Sequence, residues 1–214
     1  PVKTESMLID NLRMASTVCE ALRKTTVKHL SYISSDAIYD NSDQPLNESS
    51  CTQPGSLHGV MHLAREVMLT NAWQGPMCFL RPTLIYGTED PHNGYGPNRF
   101  MRLAKTGGDI LLFGKGEERR DHVWIQDVAD LTCRVLCHQS TGCLNIATGT
   151  VVSFSNIAKK VIQLIPNSSQ IKGSVRSGPM PHNGYRAFDP TATHQAFRDF
   201  TYTNLKDGLR KVHG

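Results

Sequence analysis

Val27-Lys28-His29-Leu30-Ser31-Tyr32-Ile33-Ser34-Ser35-Asp36-Ala37-Ile38-Tyr39 is the stretch that decides the fold. Its first half, Val27 to Ile33, is short and carries β-branched and aromatic residues, which predicts a strand. Its second half drops at once into the polar loop Ser34 to Gln53. Upstream, Leu8, Leu12, Ala15, Val18, Cys19 and Leu22 recur at helical spacing from Glu5 to Leu22, and Arg23 and Lys24 suit a helix C-terminus. Downstream, a second helix is predicted from about Ser56 to Asn71 and a second buried strand from Met77 to Thr83. Helix, strand, loop, helix, strand is the rhythm of a parallel sheet with crossover helices, so the chain reads as α/β.

Further on, Tyr86 to Asn98 is rich in Gly, Pro, Asn and Asp, the composition of a long loop that carries binding residues above a sheet. A helix at 97–107, short strands at Ile110–Phe113 and His122–Ile125, a helix at 126–138, a strand at Leu144–Ala147 and a helix at 153–165 follow. A Gly/Pro-rich loop at 173–186 precedes two short helices near 190–197 and 203–212. Neither Gly-x-Gly-x-x-Gly nor Gly-x-x-Gly-x-x-Gly occurs. Gly114-Lys115-Gly116 is followed by Glu117-Glu118, which would repel a pyrophosphate, so it reads as a turn.

Composition narrows the function. At 214 residues and 39% hydrophobic, the chain can bury a substantial core. Its 23 basic and 19 acidic residues give a net charge of +4, and basic residues adjoin only in pairs such as Arg119-Arg120, too sparse for a nucleic-acid surface. No apolar stretch reaches the ~20 residues of a membrane span, and Pro1-Val2-Lys3-Thr4 opens no signal peptide, so a cytoplasmic location is expected. The triplets Asn47-Glu48-Ser49 and Asn167-Ser168-Ser169 then match the glycosylation pattern by chance. Cys19, Cys51, Cys78, Cys133, Cys137 and Cys143 are scattered, most of them in apolar runs, which predicts reduced, buried thiols. Cys133 and Cys137 lie four apart on a helix, but two ligands alone make no metal site.

Six strings carry chemistry. After the strand-end Ser34-Ser35-Asp36-Ala37 comes Pro54-Gly55-Ser56-Leu57-His58-Gly59-Val60-Met61-His62-Leu63-Ala64-Arg65-Glu66, which sets His58, His62 and Glu66 on one helix face. Leu80-Arg81-Pro82-Thr83-Leu84-Ile85-Tyr86-Gly87 is a buried strand ending at a proline. Pro91-His92-Asn93-Gly94-Tyr95-Gly96-Pro97-Asn98-Arg99-Phe100 leads into a helix, whose N-terminus suits an anion. Leu112-Phe113-Gly114-Lys115-Gly116-Glu117-Glu118-Arg119-Arg120-Asp121-His122-Val123-Trp124-Ile125-Gln126-Asp127-Val128-Ala129 and Asn145-Ile146-Ala147-Thr148-Gly149 complete the set.

Taken in order, these strings resemble the extended short-chain dehydrogenases/reductases of the NAD-dependent epimerase/dehydratase type, which act on nucleotide sugars. The resemblance spans roughly residues 5 to 214. It implies part of a Rossmann-type parallel sheet with helices on both faces, plus a small α/β substrate-binding C-terminal domain. Residues 1–90 would be the remainder of the NAD(P)-binding domain and 91–214 mainly substrate-binding, with 126–165 returning to the sheet. Residue 1 would correspond to a point after the family's first three or four strands, leaving roughly 70 to 90 residues and the phosphate-binding glycine loop upstream.

The resemblance also assigns roles. Ser35 falls beside the reacting hydroxyl, with Asp36 next to it. Ser34, Pro82 and Thr83 fall against the cofactor, NAD or NADP. Asn98, Arg99, Phe113, Arg120 and His122 fall on the nucleotide-sugar substrate, with Arg120 on its diphosphate and Asp121 either orienting it or pairing with the backbone. A homodimer through the first helix and the His58 helix is implied as well.

Two departures stand out. Where the family has a catalytic Tyr and, four residues later, a Lys, this chain has His58 and His62. An imidazole titrates near 6.5 against ~10 for a phenol, so His58 can act as a base unaided, while a neutral His62 offers no permanent charge to the cofactor ribose. Three readings stay open: a working His pair, a binding-competent but inactive relative, or catalysis by other groups, among which His58, His62 and Glu66 as metal ligands is the weaker, since the family frame already gives Glu66 a structural place. A rate rising through about pH 6 to 7 would mark His58 as the base. Ala37 replaces the Glu that the dehydratase branch pairs with its Asp, which puts epimerisation or simple oxidation and reduction ahead.

Overall fold

The structure is a computed structural model in which residues 2–166 and 169–213 are described; the Asn167 triplet lies largely outside them. The first helix, α1 (Glu5–Lys24), is capped by Thr4, whose Oγ1 accepts from the Met7 amide at 3.3 Å. Its inner face is Leu8, Leu12, Ala15, Cys19 and Leu22; Val18, expected among them, is 47% exposed. β1 (Leu30–Ile33) follows, three residues shorter than its apolar run. α2 (Leu57–Ala72) is capped by Ser56 and packs along α1, where Arg65 grips the Asn11 carbonyl at 2.9 Å.

β2 (Met77–Pro82) pairs in parallel with β1 on one side and with β6 (Gly142–Ile146) on the other. A central strand is covered on both faces, and β2 is accordingly a nearly unbroken apolar run. One face packs Phe79 with Cys19 and Leu69 of α1 and α2. The other packs Cys78 and Leu80 with Val128, Leu131 and Val135 of α4 (Ile125–His138) and with Phe197 and Phe200. The α/β layering read from the sequence is present.

β3 (Leu84–Tyr86) leaves this sheet and pairs in parallel with β5 (Arg119–Trp124), which also pairs with β7 (Val151–Ser153) and β9 (Tyr185–Arg186). β4 (Ile110–Phe113) pairs with β8 (Ile171–Ser174). With α3 (Pro97–Lys105), α5 (Phe154–Leu164) and α7 (Leu205–His213), these enclose a second core of Phe100, Met101, Leu112, Phe154, Ile157 and Leu209. The short α6 (Thr191–Ala196) returns to β6. Gly114-Lys115-Gly116 is the turn from β4 toward β5, as read.

The cysteines depart from expectation. Cys19 and Cys78 are buried, whereas Cys51, Cys133 and Cys137 are exposed and all six are free thiols. Cys51 belongs to the polar loop, and α4 buries Val128, Leu131 and Val135, turning Cys133 and Cys137 outward. Among the described residues no helix is long and apolar enough to cross a membrane.

Candidate active site

The carboxyl ends of β1 and β2 open into a cleft of about 940 Å3, lined by Ser34, Ser35, Asp36, His58, His62, Pro82, Thr83 and Arg120. Asn98 and His122 line a smaller cavity of about 130 Å3 that shares Leu84, Ile85, Asp90 and His92 with the cleft. Arg99, on the outer side of α3, and Phe113, stacked on Tyr95 at 4.6 Å, line neither.

Ser35 ends its strand by capping a single 3-10 turn, Asp36–Ile38, its Oγ accepting from the Ala37 amide at 3.1 Å. That turn meets the first turn of α2. A Cβ at position 59 would stand 2.1 Å from the Ala37 carbonyl oxygen, so only glycine lets α2 approach and bring His58 beside the strand end. The His58 and His62 rings face each other nearly perpendicular with centroids 4.7 Å apart. His58 Nδ1 is buried without a hydrogen-bond partner, and His62 Nδ1 lies 3.1 Å from the Tyr32 hydroxyl. Burial lowers the His58 pKa against the opposing pull of Asp36. Burial, then His58 and Arg65, push His62 down to about 4. Both imidazoles are therefore neutral at pH 7.

Glu66 is not joined to the histidines. Both its oxygens are held by Arg81, at 3.0 and 2.6 Å, in a pair about 6% exposed on each side. Arg81 also donates to Tyr39 Oη at 2.8 Å, and Tyr39 donates to Asn145 Oδ1 at 2.7 Å. This rules the carboxylate out of a His58-His62-Glu66 metal set, and among the described residues no three such side chains converge on a cation position.

Arg120 is buried against Glu118 at 2.5 Å and donates to the Pro181 carbonyl at 2.7 Å. Asp121 does not touch it. Its carboxylate accepts from the Thr148 amide and hydroxyl and from the Gly149 amide, latching the turn after β6, and burial raises its pKa to about 6. Of the two uses open to Asp121, backbone pairing is the one realised. Asn98 likewise acts on the backbone, accepting from the Gly87 amide at 3.0 Å while donating to Asp90 at 2.9 Å. His122 is buried with both ring nitrogens unpartnered, and burial pulls its pKa to about 4.

Two cleft residues escaped the sequence reading. Arg186 stands opposite Arg120 in the β5–β9 register, and its Nε donates to Asp36 at 3.1 Å and its Nη2 to the Asp36 carbonyl at 2.5 Å. Burial raises the Asp36 pKa, and Arg186 opposes it. His182, at φ +52, sits between Arg186 and Asn41, and burial, then Arg186 and Arg120, lower its pKa to about 3. Both lie in what reads as a Gly/Pro-rich loop. The only signal was an arginine set among Tyr185, Ala187 and Phe188.

Residues 2–147 match the NAD dependent epimerase/dehydratase family. The chain belongs to that family. It is similar to the dTDP-D-glucose 4,6-dehydratase of Mus musculus, 27% identical over 164 residues that cover 74% of this chain and 46% of the relative. The Homo sapiens counterpart is 26% identical, with 74% and 47% covered. The chain thus spans about half the length of these curated relatives. Two solved structures share the fold. The UDP-glucuronic acid 4-epimerase from Bacillus cereus in complex with UDP-glucuronic acid and NAD superposes with a TM-score of 0.84 at 19% identity, over 95% of this chain and 66% of that one. The UDP-glucose 4-epimerase from Thermotoga maritima with UDP-glucose gives 0.82 at 20% identity, over 100% and 74%. The fold is accordingly Rossmann-type.

The four residues that the resemblance sets against a cofactor, Ser34, His62, Pro82 and Thr83, all line the cleft. The Ser34 Oγ is buried and unpartnered. The pyrophosphate end has no glycine cradle among the described residues.

Proposed function

We propose that this protein is an NAD(P)-dependent epimerase or oxidoreductase of a nucleotide-activated sugar, with Ser35 and His58 at the reacting carbon. The observation that carries the reading is a neutral, half-buried His58 in the same cleft as Ser35 and two buried guanidinium groups, Arg120 and Arg186. Ser35 Oγ hydrogen-bonds the sugar hydroxyl. A His58 ring nitrogen takes the hydroxyl proton as the carbon becomes a carbonyl. When bound, the cofactor supplies the hydride acceptor. The imidazolium, whose burial makes it a ready donor, returns the proton to oxygen when the carbonyl is reduced.

On the substrate side, Arg120 and Arg186 suit the diphosphate, since planar guanidinium groups bind phosphate oxygens in pairs. Asp36, tied to Arg186, keeps that guanidinium in place, and Asn98 and His122 extend the site into the adjoining cavity. Ser34, His62, Pro82 and Thr83 serve the nicotinamide end. Homodimerisation through α1 and α2, which expose Met7, Met14, Val18, Val60 and Val67, completes the proposal and is checked by light scattering.

The test is thermal stability of the full-length protein with NAD(H), NADP(H) and a panel of UDP-, GDP-, dTDP- and CDP-sugars. A ligand at about 100 times its Kd adds about 2.7 kcal/mol. Stabilisation by one cofactor and one sugar nucleotide, with turnover lost in His58→Ala, is the expected result. Sugar-nucleotide binding without turnover, unaffected by His58→Ala, would instead make the protein a binding relative.

A further inference from the structure

Tyr32 is not a cleft residue. It belongs to β1, and its ring points to the helix face of the sheet, packing edge-on against Phe79 at 6.2 Å and beside His62 at 6.1 Å. Its hydroxyl reaches His62 Nδ1 at 3.1 Å. His62 does line the cleft, so one ring meets both Tyr32, through Nδ1, and the cleft.

We infer that Tyr32 is a positioning residue that fixes His62 in one tautomer, with Nδ1 accepting the phenol proton and Nε2–H presented to the cleft as an uncharged donor for the nicotinamide ribose. The functional meaning rests on the proposed reading of His62; the tautomer itself does not.

Three observations set the direction of the bond. An imidazole nitrogen and a phenol can share a proton either way, and neighbours decide. Here the Arg65 guanidinium stands beside the Tyr32 oxygen, itself held by the Asn11 carbonyl at 2.9 Å and Oδ1 at 2.8 Å. A nearby cation turns the O–H dipole away from itself, which leaves the phenol to donate to the imidazole. Burial also raises the Tyr32 pKa, so the phenol keeps that proton through neutral pH, and His62 stays uncharged to receive it. The His58 ring lies perpendicular to His62 rather than bonded to it, so it sets no competing tautomer. A ribose hydroxyl accepts readily from such a donor, and the geometry replaces a cation by a directed neutral group.

The measurement is a two-bond proton–nitrogen correlation spectrum of the full-length protein with isotope-labelled histidine, His62 being assigned by its loss in His62→Gln. Between pH 6 and 8 the expected spectrum shows a protonated Nε2 and a bare Nδ1. Tyr32→Phe keeps the ring against Phe79 and removes the donor. It should shift the Nδ1 resonance and admit the second tautomer, and weaken NADH binding about fivefold, the worth of ~1 kcal/mol of hydrogen bonding. A wild-type His62 carrying its proton on Nδ1 overturns the inference without any variant. So does a Tyr32→Phe spectrum with the Nδ1 resonance unmoved. If NADH binds neither protein, the cofactor reading fails while the tautomer result stands on its own.

Discussion

Replacing Glu66 by Ala leaves the Arg81 guanidinium buried with its main counter-charge gone. Both partners are about 6% exposed and meet through two hydrogen bonds, at 3.0 and 2.6 Å, so water cannot take over the role of the carboxylate. Breaking such a pair costs about 3–5 kcal/mol. Arg81 keeps partial compensation from Tyr39, whose oxygen accepts at 2.8 Å and whose ring centroid lies 5.3 Å from the guanidinium, which places the expected loss near the lower bound, about 3 kcal/mol. In a urea titration at pH 7 that loss lowers the midpoint by about 1–2 M at ordinary slopes. The Glu66→Leu/Arg81→Met double variant replaces the pair by apolar groups and should recover to within about 1 kcal/mol of wild type. A Glu66→Ala loss below about 1 kcal/mol, or a double variant no more stable than the single one, would refute the reasoning. Because Tyr39 follows the Ser35 turn, Glu66→Ala should also lower kcat more than it raises KM.

Turnover should fall as pH drops through the His58 pKa, which burial places below the ordinary 6.5, lower than the sequence alone suggests; an acid limb centred above pH 7 would exclude His58 as the base. His122 is neutral when folded down to about 4 but charges near 6.5 when unfolded, so the unfolded chain binds more protons in that window and His122 erodes stability as pH falls through it. His122→Phe should therefore gain on wild type below pH 6.5, by at most about 3 kcal/mol at pH 4, and a stability difference flat in pH would contradict this. A Cβ at Gly208 would lie 1.8 Å from the Tyr86 hydroxyl, so Gly208→Ala should cost about 1–3 kcal/mol by chemical denaturation, with partial rescue by Tyr86→Phe, itself close to neutral because it removes a buried, unpartnered oxygen. His58→Tyr combined with His62→Lys should move the acid limb of turnover toward alkaline pH, as a phenol replaces an imidazole as base; an unmoved profile would place the base elsewhere.

The βαβ core was legible because its signals are local. Leu8, Leu12, Ala15, Cys19 and Leu22 declare a helix face, and Cys78-Phe79-Leu80 declare a strand buried on both sides. β7 and β9 were not legible: three- and two-residue strands have too few side chains to show alternation, and they exist only because β5 lends them hydrogen bonds. The same limit governs the site. Ser35 and His58 could be placed by motif, whereas the partners that define their surroundings are distant in sequence. Asp36 meets Arg186 and Tyr39 meets Asn145, 150 and 106 positions away, while Glu66 of α2 meets Arg81 of β2 from a helix onto the sheet. Tyr32 lay inside the most telling string, yet its bond to His62 depends on which face of β1 it occupies, and a four-residue strand with half-buried residues on both faces does not announce that.

The Asp36–Arg186 contact joins residues 150 positions apart, and Leu46 is bridged to Phe188 in the same region. During synthesis the turn after β1 emerges long before the strand that locks it. The β1–β2 pairing and the α1–α2 packing can form early, from contacts short in sequence, but one wall of the cleft waits for Arg186 to leave the ribosome. Until then the Asp36 carboxylate faces solvent and the cleft is open on that side. A nascent chain stalled before position 186 would carry a formed β1–β2 pair and an unformed cleft wall, so the cleft takes shape later than the sheet that supports it.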